Sequence, residues 1–495
     1  MTEFERLYNE KKGTVEDCLK AIHSYSRVCF AGDGNQPNVI LSNLHKIAPY
    51  VKEVHCIKGH AGDFQCVTDP AMNGHISFTT FLYGRELMVG QTQRNVSFVP
   101  ADICDYGIFM AEYRPRNTFV ACVSPMDDHG YFQLGLTNMW ESASFKTCDT
   151  IILEVNPQMP RVRGGLRINI RDVTVLTEVD YPPLVVADAE TTEIEEKIGE
   201  NVAELVHDGD CIQLGIGGIP DAAALALKDK HDLGVHSEMI TNSMVELVEA
   251  GVITGRKKNF MPGKMVGTFA YGTQKLYDML EENPGVRMLR GETVNNPQIV
   301  AQNDNFVSIN ACLSVDLTGQ VCSESIGSRQ YSGSGGQADM AVGAAHSRNG
   351  RNIIATASTK HGGAVSTITA QLEPGSIVTL SRNELDYVVT EYGIAPLRGR
   401  SVRQKVENLI AVAHPDFRSE LRQQADAMVK KLPTPQLIAL DLDETLLNQD
   451  SRLSQGNRAA LAAAVKQGVV IAAATGRAFE TVPEEVLGFT GVRYA

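Results

Sequence analysis

The chain has 495 residues, 43% hydrophobic and 21% charged, and a formal net charge of -14. That length admits two or three domains with sizeable cores, and the composition is that of an ordinary soluble globular enzyme and excludes wholesale disorder. With an acidic balance and no block of lysine or arginine, nucleic acid is not an expected partner.

The first twenty residues, MTEFERLYNEKKGTVEDCLK, are polar and charged, and no run of about 18 apolar residues follows. A cytoplasmic protein with no membrane partner is expected. The ten cysteines are scattered without a CxxC pair. They read as small core residues in a reducing compartment, with no metal site.

In chain order, a strand is predicted in RVCFAGDGNQPNVILSNL from Arg27, followed by a glycine turn and a helix. Further buried strands are predicted in FVACVSP (119–125), TIILEVNP (150–157), DCIQLGIG (210–217) and NIIATAS (352–358). Short apolar runs alternating with amphipathic stretches define an α/β protein. Pro182 and Pro183, in TEVDYPPLVVADAETTEIEEK, break regular structure before an acidic helix and mark a linker.

An internal repeat supports that division. At a constant offset, the segment from Arg27 aligns with DCIQLGIGGIPDAAALAL from Asp210, bringing Gly32, Gly34 and Pro37 onto Gly215, Gly217 and Pro220. A second match sets His55 against His236 with the offset shifted by two, and places Ile57 opposite Glu238. Two related open α/β halves, 1–185 and 186–430, are expected to pack across a cleft, with a further boundary at KLPTPQ and a short α/β piece over 431–495.

Two features of the second half carry chemistry. Around Gln213, Leu214, Gly215, Ile216, Gly217 and Gly218, a GxGGxP turn lets backbone N–H groups approach a phosphate or pantetheine closely; a plain strand-to-helix turn fits the same pattern. One βα unit later, Glu238 in VHSEMITN stands where open sheets place their ligands, although a solvated surface glutamate is the alternative.

GIGGIP, GVHSEM, VNNP (294–297), GSRQYSGSGGQADM (327–340), VTEYGIAPLRGRS (389–401) and AHPDFRSEL (413–421) occur in that order. Together they resemble the acetyl-CoA hydrolase/transferase family of class I CoA-transferases, in its 4-hydroxybutyrate and butyrate branch, over roughly residues 1–425. The resemblance implies a homodimeric enzyme that moves CoA between a short-chain acyl-CoA and a carboxylate, with the CoA thioester as substrate and no bound cofactor. It makes Glu238 the nucleophile, Asn295 and Gly336 the oxyanion donors, and Gln213–Gly218 with Gly336 the CoA-binding positions. Hydrolysis of the thioester is the alternative within the same fold.

Glu391 and Gly393 in TEYGIA are family-like and line the site or merely form a turn. GDGNQP (32–37) and SPMDDHGYF (124–132) are expected to shape the acyl or carboxylate pocket, and His129 and His236 to be structural. From Leu437, LIALDLDETLLNQDSRLSQGNRAALAAAVKQGVVIAAATGRAFE resembles the start of a haloacid-dehalogenase-type phosphatase. Asp441 matches its nucleophile, Asp443 its acid/base and Thr475 its phosphate-binding threonine, with Glu444 replacing a usual glycine. The later lysine and acidic pair of that family do not follow, so a truncated fragment without phosphatase activity is expected.

Overall fold

The predicted apolar runs form two largely parallel sheets in a computed structural model that describes every residue except 1, 60–61, 63, 85–94, 114–115, 188–189, 429–436, 449, 477–480, 488–491 and 495. The first sheet contains Arg27–Phe30 (β1), Val54–Lys58 (β2), Ile76–Thr80 (β3), Val96–Phe98 (β4), Thr118–Val123 (β5), Thr150–Val155 (β6) and Val175–Glu178 (β7). Their order is β4-β3-β2-β1-β5-β6-β7, all parallel. Alternate residues of each strand enter different cores: Val28 and Phe30 pack with Ile40 and Leu41, whereas Cys29 and Phe119 pack with Tyr106 and Trp140. Burial of both faces explains why these strands read as unbroken apolar runs.

The second sheet contains Cys211–Leu214 (β8), Gly234–Val235 (β9), Phe306–Ala311 (β10), Arg351–Ala355 (β11), Tyr387–Thr390 (β12) and Gly393–Pro396 (β13), in the order β9-β8-β10-β11-β12-β13. Only the β12–β13 hairpin is antiparallel. The run β2-β1-β5-β6-β7 is thus matched by β9-β8-β10-β11-β12. The repeat seen around the two glycine turns is a repeat of topology.

Register corrects the second match of that repeat. Cys29 lies opposite Ile57 and Phe119, and its counterpart Ile212 lies opposite Val235 and Val307. Ile57 therefore corresponds to Val235, and Glu238 corresponds to position 60, which lies outside the described residues. The connections from β1 to β2 and from β8 to β9 differ in length, so one offset cannot carry both matches.

Besides the two cores of the first sheet, a third core is shared by the two halves. Cys122, Leu136, Met159 and Val162 pack with Ile212, Leu214 and Ile240, and residues Met1–Arg422 form one compact unit. The acidic helix expected after the prolines runs over Glu193–Glu204 and is closed by a capping box between Thr192 and Glu195. All ten cysteines are free.

Residues Gln423–Ala495 form the second unit; the expected boundary at 431–436 lies outside the described residues. Here Leu437–Leu440, Val470–Ala473 and Val492–Tyr494 make a parallel three-stranded sheet, and Leu442, Leu446, Leu461, Ile471 and Val486 supply its own small core. Asp441 accepts from the Leu442 amide at 2.9 Å, Asp443 follows in the same turn, and the Ala474 amide donates to the Leu440 carbonyl at 2.8 Å. Asp441 and Thr475 consequently leave neighbouring strands at the same sheet edge.

Candidate active site

Glu238 lies on the bend between β9 and the short strand Met239–Ile240. Its backbone is fixed first: the carbonyl accepts from the Thr268 amide at 2.9 Å and the Phe269 amide at 3.0 Å. Before it, the Ser237 hydroxyl donates to the Leu214 carbonyl at 3.3 Å, and the His236 ring bonds the Val294 carbonyl at 2.7 Å through Nε2. His236 is buried, and desolvation with Lys258 nearby holds its pKa down to about 3. A neutral ring in that place ties the bend carrying Glu238 to the residue preceding Asn295.

The carboxylate is held by the two groups singled out in sequence. Asn295 Nδ2 donates to Glu238 Oε2 at 3.1 Å, and the Gly336 backbone N–H bonds the same carboxylate. Gly336 is required by proximity: a Cβ there would stand on Glu238 Oε2 and on Asn295 Nδ2. Burial raises the pKa of Glu238 above the ordinary glutamate range, and the hydrogen bonds from Asn295 and Gly336 oppose that shift. The side chain as a whole is half-buried.

The proposed CoA-binding positions divide into two kinds. Gln213 and Leu214 are closed inside the sheet: Gln213 receives the Ser308 hydroxyl at 2.8 Å and exchanges bonds with Asn310, and Leu214 belongs to the core. From Gly215 the chain opens. Ile216 is 66% exposed, and Gly217 takes a φ of +108° with nothing near the place of a Cβ, directly before the helix Gly218–Ala226. Gly218, the first residue of that helix, packs on the Glu195 carboxylate, so the open part of the turn is at Ile216 and Gly217.

Other sequence candidates fall elsewhere. Glu391 is tied back to Ser358, accepting its amide at 2.9 Å and its hydroxyl at 2.5 Å, while Gly393 begins β13 at a φ of +127°. His129 is exposed in the turn Asp127–Tyr131. The GDGNQP turn acts as a brace. Its buried Asn35 donates to the Cys122 carbonyl and receives the amides of Leu136 and Thr137 at 2.9 and 3.0 Å. That fixes the segment Leu136–Asn138, whose Leu136 carbonyl accepts from Ala270. Asn138 donates its amide to the Thr268 carbonyl and accepts from the Gly291 amide. Asn138 therefore supports both the strand that fixes Glu238 and the short helix Gly291–Val294 that ends at Asn295. Asn35 and Asn138 carry no motif of their own, and only the glycines flanking Asn35 marked its neighbourhood.

Among the described residues no group of three or more His, Cys, Asp or Glu is arranged to hold a metal, and no helix is long and apolar enough to cross a membrane.

Two largely parallel α/β sheets repeating one topology, with a clamped carboxylate at the C-terminal edge of the second, define a CoA-transferase fold. The chain belongs to the acetyl-CoA hydrolase/transferase family: its N-terminal domain model matches residues 85–196 and its C-terminal domain model residues 272–425. The chain is 41% identical to the 4-hydroxybutyrate coenzyme A transferase of Clostridium kluyveri, over 85% of this chain and 99% of that protein. It is 45% identical to the succinyl-CoA:cyclohexane-1-carboxylate CoA transferase of Geobacter metallireducens, over 86% and 97%. The crystal structure of RipA from Yersinia pestis superposes with a TM-score of 0.82 at 34% identity, over 86% of this chain and 99% of that one. An acetyl-CoA hydrolase of Candida albicans matches at 28% over 44% of this chain. Residues 438–489 match a haloacid dehalogenase-like hydrolase model.

Proposed function

We propose that the protein transfers CoA between a short-chain acyl-CoA and a carboxylate, with Glu238 as the nucleophile. The observation that carries this reading is the clamp of Asn295 Nδ2 and the Gly336 N–H on the Glu238 carboxylate. A carboxylate oxygen of Glu238 attacks the thioester carbonyl, the C–S bond breaks, and an acyl-glutamyl anhydride and CoA thiolate result. The thiolate attacks the glutamyl carbonyl, releasing the first acid as its carboxylate and leaving a glutamyl-CoA thioester. The acceptor carboxylate then attacks that thioester and expels the thiolate, which takes the new acyl group and restores Glu238. Each tetrahedral oxyanion needs fixed donors, and Asn295 and Gly336 supply two at the attacked glutamyl carbon. Partial desolvation leaves the ionised Glu238 less stabilised by water than a surface carboxylate, which favours attack.

The open turn at Gly215–Gly218 receives part of CoA through backbone N–H groups, while Gln213 and Leu214 support it from within the sheet. The names of the relatives favour transfer over hydrolysis, and 4-hydroxybutyrate or butyrate with acetate is the acid pair to try first. A cytoplasmic homodimer belongs to the same reading and rests on the family resemblance. Incubation with acyl-CoA and no acceptor should add the mass of CoA less one water to the peptide containing Glu238, removable by hydroxylamine. An unlabelled Glu238 in a fully active enzyme rejects the mechanism.

A further inference from the structure

Tyr106 is completely buried, and among the described residues its hydroxyl has no hydrogen-bond partner. Leaving a buried hydroxyl unpaired costs about 1–3 kcal/mol, so such a group in a native core calls for an explanation. Its ring is held: it stacks on Phe81 with centroids 4.3 Å apart and meets Trp140 at 5.9 Å.

The helix that carries it, Ile103–Ile108, is tied to the elements that form the Glu238 clamp. The Cys104 amide donates to Asp339 at 3.1 Å, on the helix opening just after Gly336, and the Ser334 hydroxyl donates to the Ala101 carbonyl at 2.7 Å. Gly107 packs on Glu292, in the short helix that ends at Asn295. Gly333 packs on the Phe81 carbonyl. The helix carrying Tyr106, with the residues flanking it, thus packs on both stretches of chain that deliver the oxyanion donors. Two further buried polar atoms at this place lack partners among the described residues: Asn295 Oδ1 and the hydroxyl of Thr268, whose amide fixes Glu238. The charges that bear on the phenol are carboxylates: Glu238, Asp339, Asp102 and Glu324. A second anionic group of a substrate would be repelled there; a neutral oxygen would not.

We infer that the Tyr106 hydroxyl is the polar anchor of the acyl pocket, hydrogen-bonding a neutral oxygen on the acyl chain and so favouring hydroxyacyl over unsubstituted or dicarboxylic substrates. The inference rests on the transfer reading above. It predicts that Y106F lowers kcat/KM for 4-hydroxybutyrate relative to butyrate by about 10-fold, since the two acids differ by one hydroxyl. A ratio that stays the same, whether both acids slow equally or neither slows, overturns it. So does a wild-type enzyme that uses succinate better than 4-hydroxybutyrate.

Thermal melting of the ligand-free protein separates this from a structural role. Y106F should melt no lower than wild type, because the hydroxyl has no protein partner to lose; a fall of several degrees overturns the inference. If wild-type Glu238 takes no CoA label from acyl-CoA, the transfer reading itself has failed. With the label present and the ratio unmoved, only the role of Tyr106 has failed.

Discussion

After β1, the helix Asn38–Asn43 starts against a buried carboxylate: Glu154, on β6, accepts from the Ile40 amide at 2.6 Å and also from Val39, and the Tyr181 hydroxyl donates to it at 2.6 Å. After β8, the corresponding helix Gly218–Ala226 starts from an open turn at Gly217. Register shows what changed. Phe119 lies opposite Ile151 and its counterpart Val307 opposite Arg351, so three residues further on Glu154 corresponds to Ile354. A helix start has free N–H groups that need acceptors. In the first half a carboxylate of the same sheet accepts from the helix amides; in the second, the Glu195 carboxylate packs on Gly218 and the turn is open at Gly217. The repeat conserves architecture, while single residues at equivalent places decide which turn is available for binding.

The strongest test of that asymmetry compares the two glutamates. Glu238→Ala should lower transfer by at least about 10³-fold, as loss of a covalent nucleophile does, with an unchanged melting temperature. Glu154→Ala should do the reverse, because it strips acceptors from buried amides and should lower stability by about 2–4 kcal/mol in urea unfolding. If Glu154→Ala lost activity at full stability, the first half would be a second site and the comparison would break.

Asn35 probes the brace between the halves. Asn35→Ala leaves the Leu136 and Thr137 amides and the Cys122 carbonyl without their partner, and a loss of about 2–3 kcal/mol is expected by chemical denaturation. Since Leu136–Asn138 supports the strand under Glu238, kcat should also fall while KM for acyl-CoA holds. A stability loss with normal kcat would confine Asn35 to the first half.

Asn295→Ala should reduce kcat by about 10²- to 10³-fold through loss of one oxyanion donor. It also predicts a direction in pH. The Asn295 hydrogen bond favours the ionised form of Glu238, so its removal raises a pKa that burial has already raised. The acid limb of kcat/KM, where Glu238 becomes protonated and stops attacking, should move to higher pH. A limb that stays in place would mean that another group controls it.

The parts of this arrangement differed in how far sequence could show them. The strands were legible because burial on both faces leaves unbroken apolar runs, and the second glycine turn because residue type is restricted at Gly217 by its positive φ and at Gly218 by its packing on Glu195. Glu238 was legible as a candidate from its place one βα unit after the glycine turn, and its role, like those of Asn295 and Gly336, came from resemblance. The clamp itself is tertiary: Asn295 reaches Glu238 through His236, Thr268 and Asn138, none of which stands in a local pattern that announces it. The second match of the repeat was misplaced because His55 and His236 look alike, while the ladder pairs Ile57 and Val235 with equivalent partners. The role of Glu154 was invisible for a related reason. In TIILEVNP it is one acid in an apolar run, and only the sheet brings it to the helix start.

Glu154 also provides the smallest effect that separates the halves. Burial pushes its pKa up to about 7, against the hydrogen bonds from Tyr181 and the amides of Ile40 and Val39. In the unfolded chain the group titrates near the ordinary glutamate value, about 4.3. A carboxyl with a raised folded-state pKa contributes stability that is present below the unfolded value and is lost as pH rises toward the folded one. Stability should therefore decline between about pH 4.5 and 7 with a slope on the order of 1 kcal/mol per pH unit from this group, and flatten above. Glu154→Gln keeps an acceptor for the helix amides and carries no titrating proton, so its urea midpoint should fall less over the same window. The corresponding substitution in the second half, Ile354→Val, should leave the pH slope at its wild-type value. Equal slopes for wild type and Glu154→Gln would mean that Glu154 ionises in the folded protein as it does in the unfolded chain, and that the filled turn is held by an ordinary carboxylate.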